Sequence, residues 1–312
     1  MRHLGKYLLL LILLLLGLIS FFIGPSGFCF KDLSVPLKIR LPRIILGIYA
    51  GGVLSMVGAA LQGLFQNPLV DPYILGISGG ASLGVVLGHL LGRAGIYTIP
   101  LFSFICATIT IFLVYSIAQA RGQITRLTLV LAGVILSFFF NSLVILFMVF
   151  SKKPLSEIIY FLMGHLNLIF TKELLIVFVG ILVVTFLLLI YLFSLWRPLN
   201  IMQTNFEVQE SLGVNTTQLT KRVFFVSSFL VAAVISFVGV ISFIGLCVPH
   251  IVRLFYGPDH YKLLPYSFII GAGVLLVTDL LARTITPVEL PLSVLTALLG
   301  VPFFIYLLKK NL

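Results

Sequence analysis

Leu174 to Leu195 reads LLIVFVGILVVTFLLLIYLFSL, a run without one Asp, Glu, Lys or Arg. A helix needs about 20 apolar residues to cross the hydrocarbon of a bilayer, and this run has that length. Backbone polar groups find no water in lipid, so only helices and closed barrels can span it. Barrel strands alternate apolar and polar residues over about ten positions. This run is apolar throughout, and so is Tyr7 to Ile23, so both read as membrane helices.

The rest of the chain agrees. Of 312 residues, 60% are hydrophobic and 9% charged, against roughly 25% charged in soluble domains. That few charges could not cover a globule of this size in water. The net charge of +11 belongs to basic residues at span ends, beside lipid headgroups. No basic cluster interleaved with aromatics stands in a polar setting, so no nucleic-acid partner is expected. Cys29, Cys106 and Cys247 are far apart and form no CxxC pair, and the five histidines show no HxxxH or HExxH spacing. No metal site is expected, and the cysteines read as small buried hydrophobes. Arg2 and Lys6 followed by an apolar run imitate a signal peptide. The run continues through Ile23 with no small-x-small cleavage pattern, which favours a retained first span.

Breaks in hydrophobicity place spans at about 6–23, 41–64, 73–92, 97–118, 127–150, 173–195, 223–240, 263–283 and 291–308, with a short apolar piece at about 243–255. The expected fold is therefore all-α: one polytopic membrane domain, 1–312, of about ten transmembrane helices. The segment 151–172 is amphipathic and suits a short helix at the membrane surface. With the N-terminus inside, basic residues divide almost evenly between the two sides. Arg2, Lys6, Arg121, Arg126, Arg197, Lys221, Arg222, Arg253, Lys262, Lys309 and Lys310 fall inside; Lys31, Lys38, Arg40, Arg43, Arg93, Lys152, Lys153, Lys172 and Arg283 fall outside. The weak bias means that the topology is wrong or that the outer arginines serve a purpose.

No GxxxxGK[ST] loop occurs, so ATP binding of the usual kind is excluded. Asp279 is the one acidic residue well inside a span. Intramembrane carboxylates are functional by default, but Arg283 lies one turn on and offers an internal ion pair. The longest polar stretch, 197–222, reads as a short helix stopped at Gly213 and then a second turn. Such a loop suits docking of a soluble motor, or serves only as a solvated connector. Glycines at helical spacing, Gly47, Gly51 and Gly52, then Gly76, Gly79, Gly80, Gly84 and Gly88, read as close helix packing.

Three blocks carry a resemblance. The first runs from Arg40-Leu-Pro-Arg43 through Gly58-Ala-Ala-Leu-Gln62 to Asn67-Pro-Leu-Val-Asp-Pro-Tyr-Ile-Leu-Gly76-Ile-Ser-Gly-Gly-Ala81. The second is Gly239-Val-Ile-Ser-Phe-Ile-Gly-Leu-Cys-Val-Pro-His250-Ile-Val-Arg253 with Gly257-Pro-Asp-His260. The third is Asp279-Leu-Leu-Ala-Arg283, Glu289-Leu-Pro291 and Leu299-Gly-Val-Pro302. Together they resemble the FecCD-type permeases, the membrane subunits of ABC importers for iron siderophores, haem and cobalamin. The resemblance implies a ten-helix permease in a bacterial cytoplasmic (inner) membrane, paired with a second copy or a paralogue. It implies two cytoplasmic P-loop ATPases that bind ATP and Mg, an extracytoplasmic substrate-binding protein, and no cofactor on the permease itself.

By the same resemblance, Arg40, Arg43 and Arg283 would dock the binding protein, Asn67 and Leu69 would help form the cytoplasmic gate, and Thr125 and Thr128 would fall near a second gate loop. Asn67 before Pro68 also reads simply as a helix end. Glu207, Glu210, Leu212, Gly213 and Lys221 would contact the ATPase. His250 is expected to be structural or at the ATPase interface. The cargo would be an iron chelate, with cobalamin or molybdate and tungstate as alternatives. Two other classes remain: an ion-coupled carrier using Asp279, and a membrane enzyme, for which no polar catalytic cluster is visible.

Overall fold

The computed structural model describes residues 2–24, 27–28, 36–90, 98–119, 124–151, 155–168, 170–204, 206–286 and 288–311. Cys29, Lys31, Arg93, Arg121, Lys152 and Lys153 lie outside the described residues.

The long helices are α1 (Arg2–Phe22), α2 (Leu41–Phe65), α3 (Ile77–Leu90), α4 (Thr98–Gln119), α5 (Arg126–Val149) and, after the short α6 (Leu155–Leu162), α7 (Lys172–Ser194). Two short helices follow, α8 (Trp196–Ile201) and α9 (Phe206–Ser211). The chain ends with α10 (Thr216–Val238), α11 (Ile244–Tyr256), α12 (His260–Thr284) and α13 (Leu292–Asn311). The only strand pairing among the described residues is a two-residue ladder, Ile23–Gly24 against Gly27–Phe28. Among the described residues, six helices (α2, α4, α5, α7, α10 and α12) are long and apolar enough to cross a membrane, and α1, α3, α11 and α13 carry shorter apolar stretches. The segment 151–172 holds a short helix, α6.

α2 is the hub. It packs on α10, α11 and α12, and 89% of its apolar window is buried; for α7 the figure is 17%. Composition explains the contrast. α2 carries glycines and alanines where its neighbours cross, and a Cβ on Gly58 would run into the Gly245 carbonyl of α11. Lipid supplies no hydrophobic force between helices, so close backbone approach at small residues does the work. α7 is built of Leu, Val, Ile and Phe, and turns side chains such as Ile176 and Phe186 outward.

The third span departs from the continuous helix expected over 73–92. A 3₁₀ turn, Pro72–Leu75, ends at Gly76 with φ +81°, packed on Gly133 of α5, and α3 starts only after it. Asp71 accepts the Tyr73 amide (2.8 Å) and starts the turn. The break between α10 and α11 is satisfied in a related way. The Tyr73 hydroxyl donates to the Ile241 carbonyl (3.1 Å) and accepts from its amide (3.0 Å). Irregular backbone is tolerated at membrane depth when such a partner replaces water.

Candidate functional site

α2 has a charged group at each end. From Arg43 to Gln66 its axis covers about 35 Å at 1.5 Å per residue, which is about the hydrocarbon thickness of a bilayer.

At the first end, Arg43 bridges two carboxylates. Its Nη2 and Nε donate to Asp279 Oδ1 of α12 (2.8 and 3.3 Å), and its Nη1 to Glu289 Oε1 (2.7 Å). Arg283 Nε lies 3.4 Å from Asp279 Oδ2. The pair expected between Asp279 and Arg283 is present, but Arg43 makes the shorter contact. The remaining donors cap α1. Arg283 Nη2 donates to the carbonyl and hydroxyl of Ser20 (both 2.6 Å), and Arg40 Nη1 to the carbonyls of Phe21 (3.1 Å) and Phe22 (2.8 Å). The last carbonyls of a helix lack partners along it and carry negative partial charge, so two guanidiniums suit that end. Arg40, Arg43 and Arg283 are all buried, and their donors point into the protein. Beside them, burial first and then the Arg43 charge hold the His165 imidazole below its ordinary pKa.

At the second end, α2 closes on Gln66 in the left-handed region (φ 51°), with the Gln66 amide on the Gly63 carbonyl and the Asn67 amide on that of Gln62. This is a Schellman-type end with Gln where glycine is usual. The Gln66 side chain donates to the Met202 carbonyl. Gln62 is a junction: its Nε2 donates to the carbonyls of Val70 (3.3 Å) and Leu246 (3.2 Å), and its Oε1 accepts from Arg253 (2.7 Å). A cavity of about 780 Å³ opens here, lined by Gln62, Gln66, Asn67, Arg126, Gln203 and Arg253 among others. The turn beyond holds Asp71, whose carboxyl is pushed up to about 6 by burial.

The residues expected at a gate form two separate local motifs here. Asn67 Oδ1 accepts the amide of exposed Leu69 (2.9 Å). Thr125 and Thr128 form a reciprocal capping box on α5. Arg126, next in the chain, lines the cavity with Asn67. The polar loop folds as the sequence suggests. α9 stops in a Schellman motif at Gly213 (φ 71°), with the Gly213 amide on Glu210 (2.9 Å) and that of Val214 on Gln209 (3.1 Å). Glu210, Leu212 and Gly213 are exposed, while Gln209 is buried and ties α9 to the carbonyls of Met202 and Thr204. Lys221 sits over the Tyr115 ring on α10's side of the loop. Glu207 lies on α9; its side chain is outside the described part. His250 stands by Phe303 and Phe304, away from any ionic partner among the described residues.

No local pattern signals Arg43 as partner of Asp279, the Gln62–Arg253 bond, or Gln66 as an anchor for Met202. Each joins segments far apart in the chain. The glycine spacing on α2 was the one available hint that these helices come close.

The FecCD transport family matches residues 7–310. A "probable iron chelatin transport system permease protein" of Helicobacter pylori is 39% identical over 277 residues, covering 88% of this chain and 82% of that protein. The cobalamin import system permease protein BtuC of Halobacterium salinarum is 38% identical over 273 residues, covering 88% and 73%. A solved structure described as a metal-chelate type ABC transporter in an inward-facing conformation superposes with a TM-score of 0.86 at 33% identity, covering 97% of this chain and 98% of that one.

Proposed function

The chain belongs to the FecCD transport family, and from that premise we propose that it carries an iron chelate through a bacterial cytoplasmic membrane, driven by two partner ATPases and supplied by an extracytoplasmic binding protein. It is a multi-pass membrane permease and not itself an enzyme. ATP and Mg belong to the partner in this reading. The observation that carries it is the elbow from α8 to α10: a helical knob with Glu210, Leu212 and Gly213 exposed, on a chain that has no nucleotide-binding loop of its own. Knob and cavity share one end of the bundle, so a push on the knob acts on the residues assigned to the gate, Asn67, Leu69, Thr125 and Thr128.

The exposed face of α5, with Leu131, Ile135, Phe138 and Ile145, suits a second permease copy across a shared path. Arg40, Arg43 and Arg283 enter as the positive charge beneath the docking face for the binding protein, with exposed Lys38 available for first contact. An exposed charge such as Lys38 steers and orients a partner more than it adds affinity. An iron chelate is favoured by the chelate transporters among the similar proteins; cobalamin is the alternative of the same class. Ion coupling through Asp279 is disfavoured, because that carboxylate is fully buried and held by Arg43.

The test is a pull-down of tagged chain from its own membranes, alone and as Leu212→Asp. A P-loop ATPase that elutes with the native chain and is lost from the variant is the expected result. A native chain that elutes without an ATPase, and that in liposomes takes up iron chelate on a proton gradient alone, would overturn the reading.

A further inference from the structure

The Gly-Pro-Asp-His segment at 257–260 has no part in the roles assigned above, yet it holds the most connected polar joint at the cavity end. Asn200 of α8 donates from Nδ2 to Asp259 Oδ1 (2.7 Å). Its Oδ1 accepts the His260 backbone amide (2.8 Å) and lies 2.8 Å from His260 Nδ1. Gln203 Nε2 stands 3.0 Å from the same ring nitrogen. That nitrogen donates to Asn200 or accepts from Gln203 according to the tautomer, so one of the two amides always has a ring partner.

Asp259 also accepts the Tyr261 amide (3.0 Å) as the N-cap of α12. The His260 ring is fully buried and lies on the backbone of Gly63, where a Cβ would collide with it. One cluster thus ties α8 to the first turn of α12 and, through the ring, to the last turns of α2. These are the two helices that Arg43 and Asp279 join at the opposite end.

We propose that Asn200, Asp259 and His260 form the joint that transmits movement of the ATPase-contacting elbow to α2 and α12, with Asn200 as a positioning residue for coupling. The inference rests on the reading of this chain as an ATP-driven permease. It follows from stiffness: α8 continues directly from α7 and carries the elbow, and among the described residues the polar bonds to neighbouring spans from α8 and the turn after it include those of Asn200 and Gln203, aided by Gln66 on Met202 and by Trp196 against Tyr261. Without Asn200, elbow motion would be absorbed by a slack α8 instead of reaching the spans. Sparse polar joints between rigid elements are the kind of contact that carries coupling between sites.

The test uses the complete complex in proteoliposomes, with radiolabelled ferric chelate and phosphate release measured together. The chelate is the one that the native complex accumulates. Asn200→Ala and Asp259→Ala are expected to hydrolyse ATP but to lower uptake per ATP by about fivefold or more. Asp259→Asn keeps the acceptor oxygen and is expected to retain the native ratio. Gln203→Ala, which removes one amide from the ring, is expected to fall between and decides the matter if the other alanine variants do not assemble. A native ratio in every variant overturns the inference. So does an equal fall in hydrolysis and uptake, which would mark a docking or folding role. A native complex that takes up no tested chelate with ATP would instead refute the functional reading, and the two failures are thereby separated.

Discussion

Arg43 Nη2 of α2 lies 2.8 Å from Asp279 Oδ1 of α12, although 236 positions separate the two residues. The pair closes a group in which three arginines share two carboxylates and the open carbonyls of α1. In a buried setting the Coulomb gain is offset by desolvation, so such a pair matters most when one member is removed.

Asp279→Ala leaves Arg43 and Arg283 together with only half-buried Glu289 for charge. The expected loss is about 3–5 kcal/mol, read as a lower midpoint of thermal unfolding in detergent. Replacing the pair jointly, Arg43→Met with Asp279→Leu, is expected to recover most of it. A single variant as stable as the native chain would show that the pair contributes nothing.

Gln66 gives a prediction with a sign. Its φ of 51° costs about 1 kcal/mol for a residue with a Cβ, and its side-chain bond to the Met202 carbonyl offsets that. Gln66→Ala keeps the strain and loses the bond. Gln66→Gly loses both. Alanine is therefore expected to be the less stable variant, by about 1 kcal/mol, in denaturant or heat melts. The reverse order would contradict the account.

Tyr73→Phe removes a hydroxyl that serves both backbone groups of Ile241. Leaving buried backbone groups unpaired costs about 1–3 kcal/mol each. Amide exchange at 240–243 is expected to accelerate while exchange within α2 stays slow. Unchanged protection at Ile241 would mean that another group satisfies it.

Asp71 should make stability depend on pH. Burial raises its carboxyl from 3.8 to about 6, so between those values the folded chain binds a proton that the unfolded chain has released. Stability from this group is full below the lower value and lost as pH rises through the upper one. The native chain is thus expected to gain in melting temperature relative to Asp71→Asn as pH falls from about 7 to about 5. Parallel curves would place Asp71 in a wetter setting.

The fold was largely legible from composition. A membrane span is announced by some twenty consecutive apolar residues, as in Leu174–Leu195, and needs no knowledge of the rest of the chain. The elbow was legible too, since Gly213 after a short polar helix is a local stop signal. The break at Gly76 was not. Tyr73-Ile-Leu-Gly-Ile is as apolar as a continuous helix; Asp71 starts the turn there, and the close approach of Gly76 to Gly133 on another span completes it.

The sequence by itself determined that the chain is a bundle of membrane helices, where the polar elbow falls, and which family it resembles, because each of these is written in neighbouring residues or in ordered blocks. The tertiary structure alone decided which charges meet. Arg40 and Arg283 close the end of α1, Arg43 takes Asp279, and Asn200 finds Asp259 and His260. In lipid, hydrophobicity puts a helix in the membrane but does not choose its neighbours. Close packing at small residues sets which faces meet, and only then do polar groups far apart in sequence come within bonding distance.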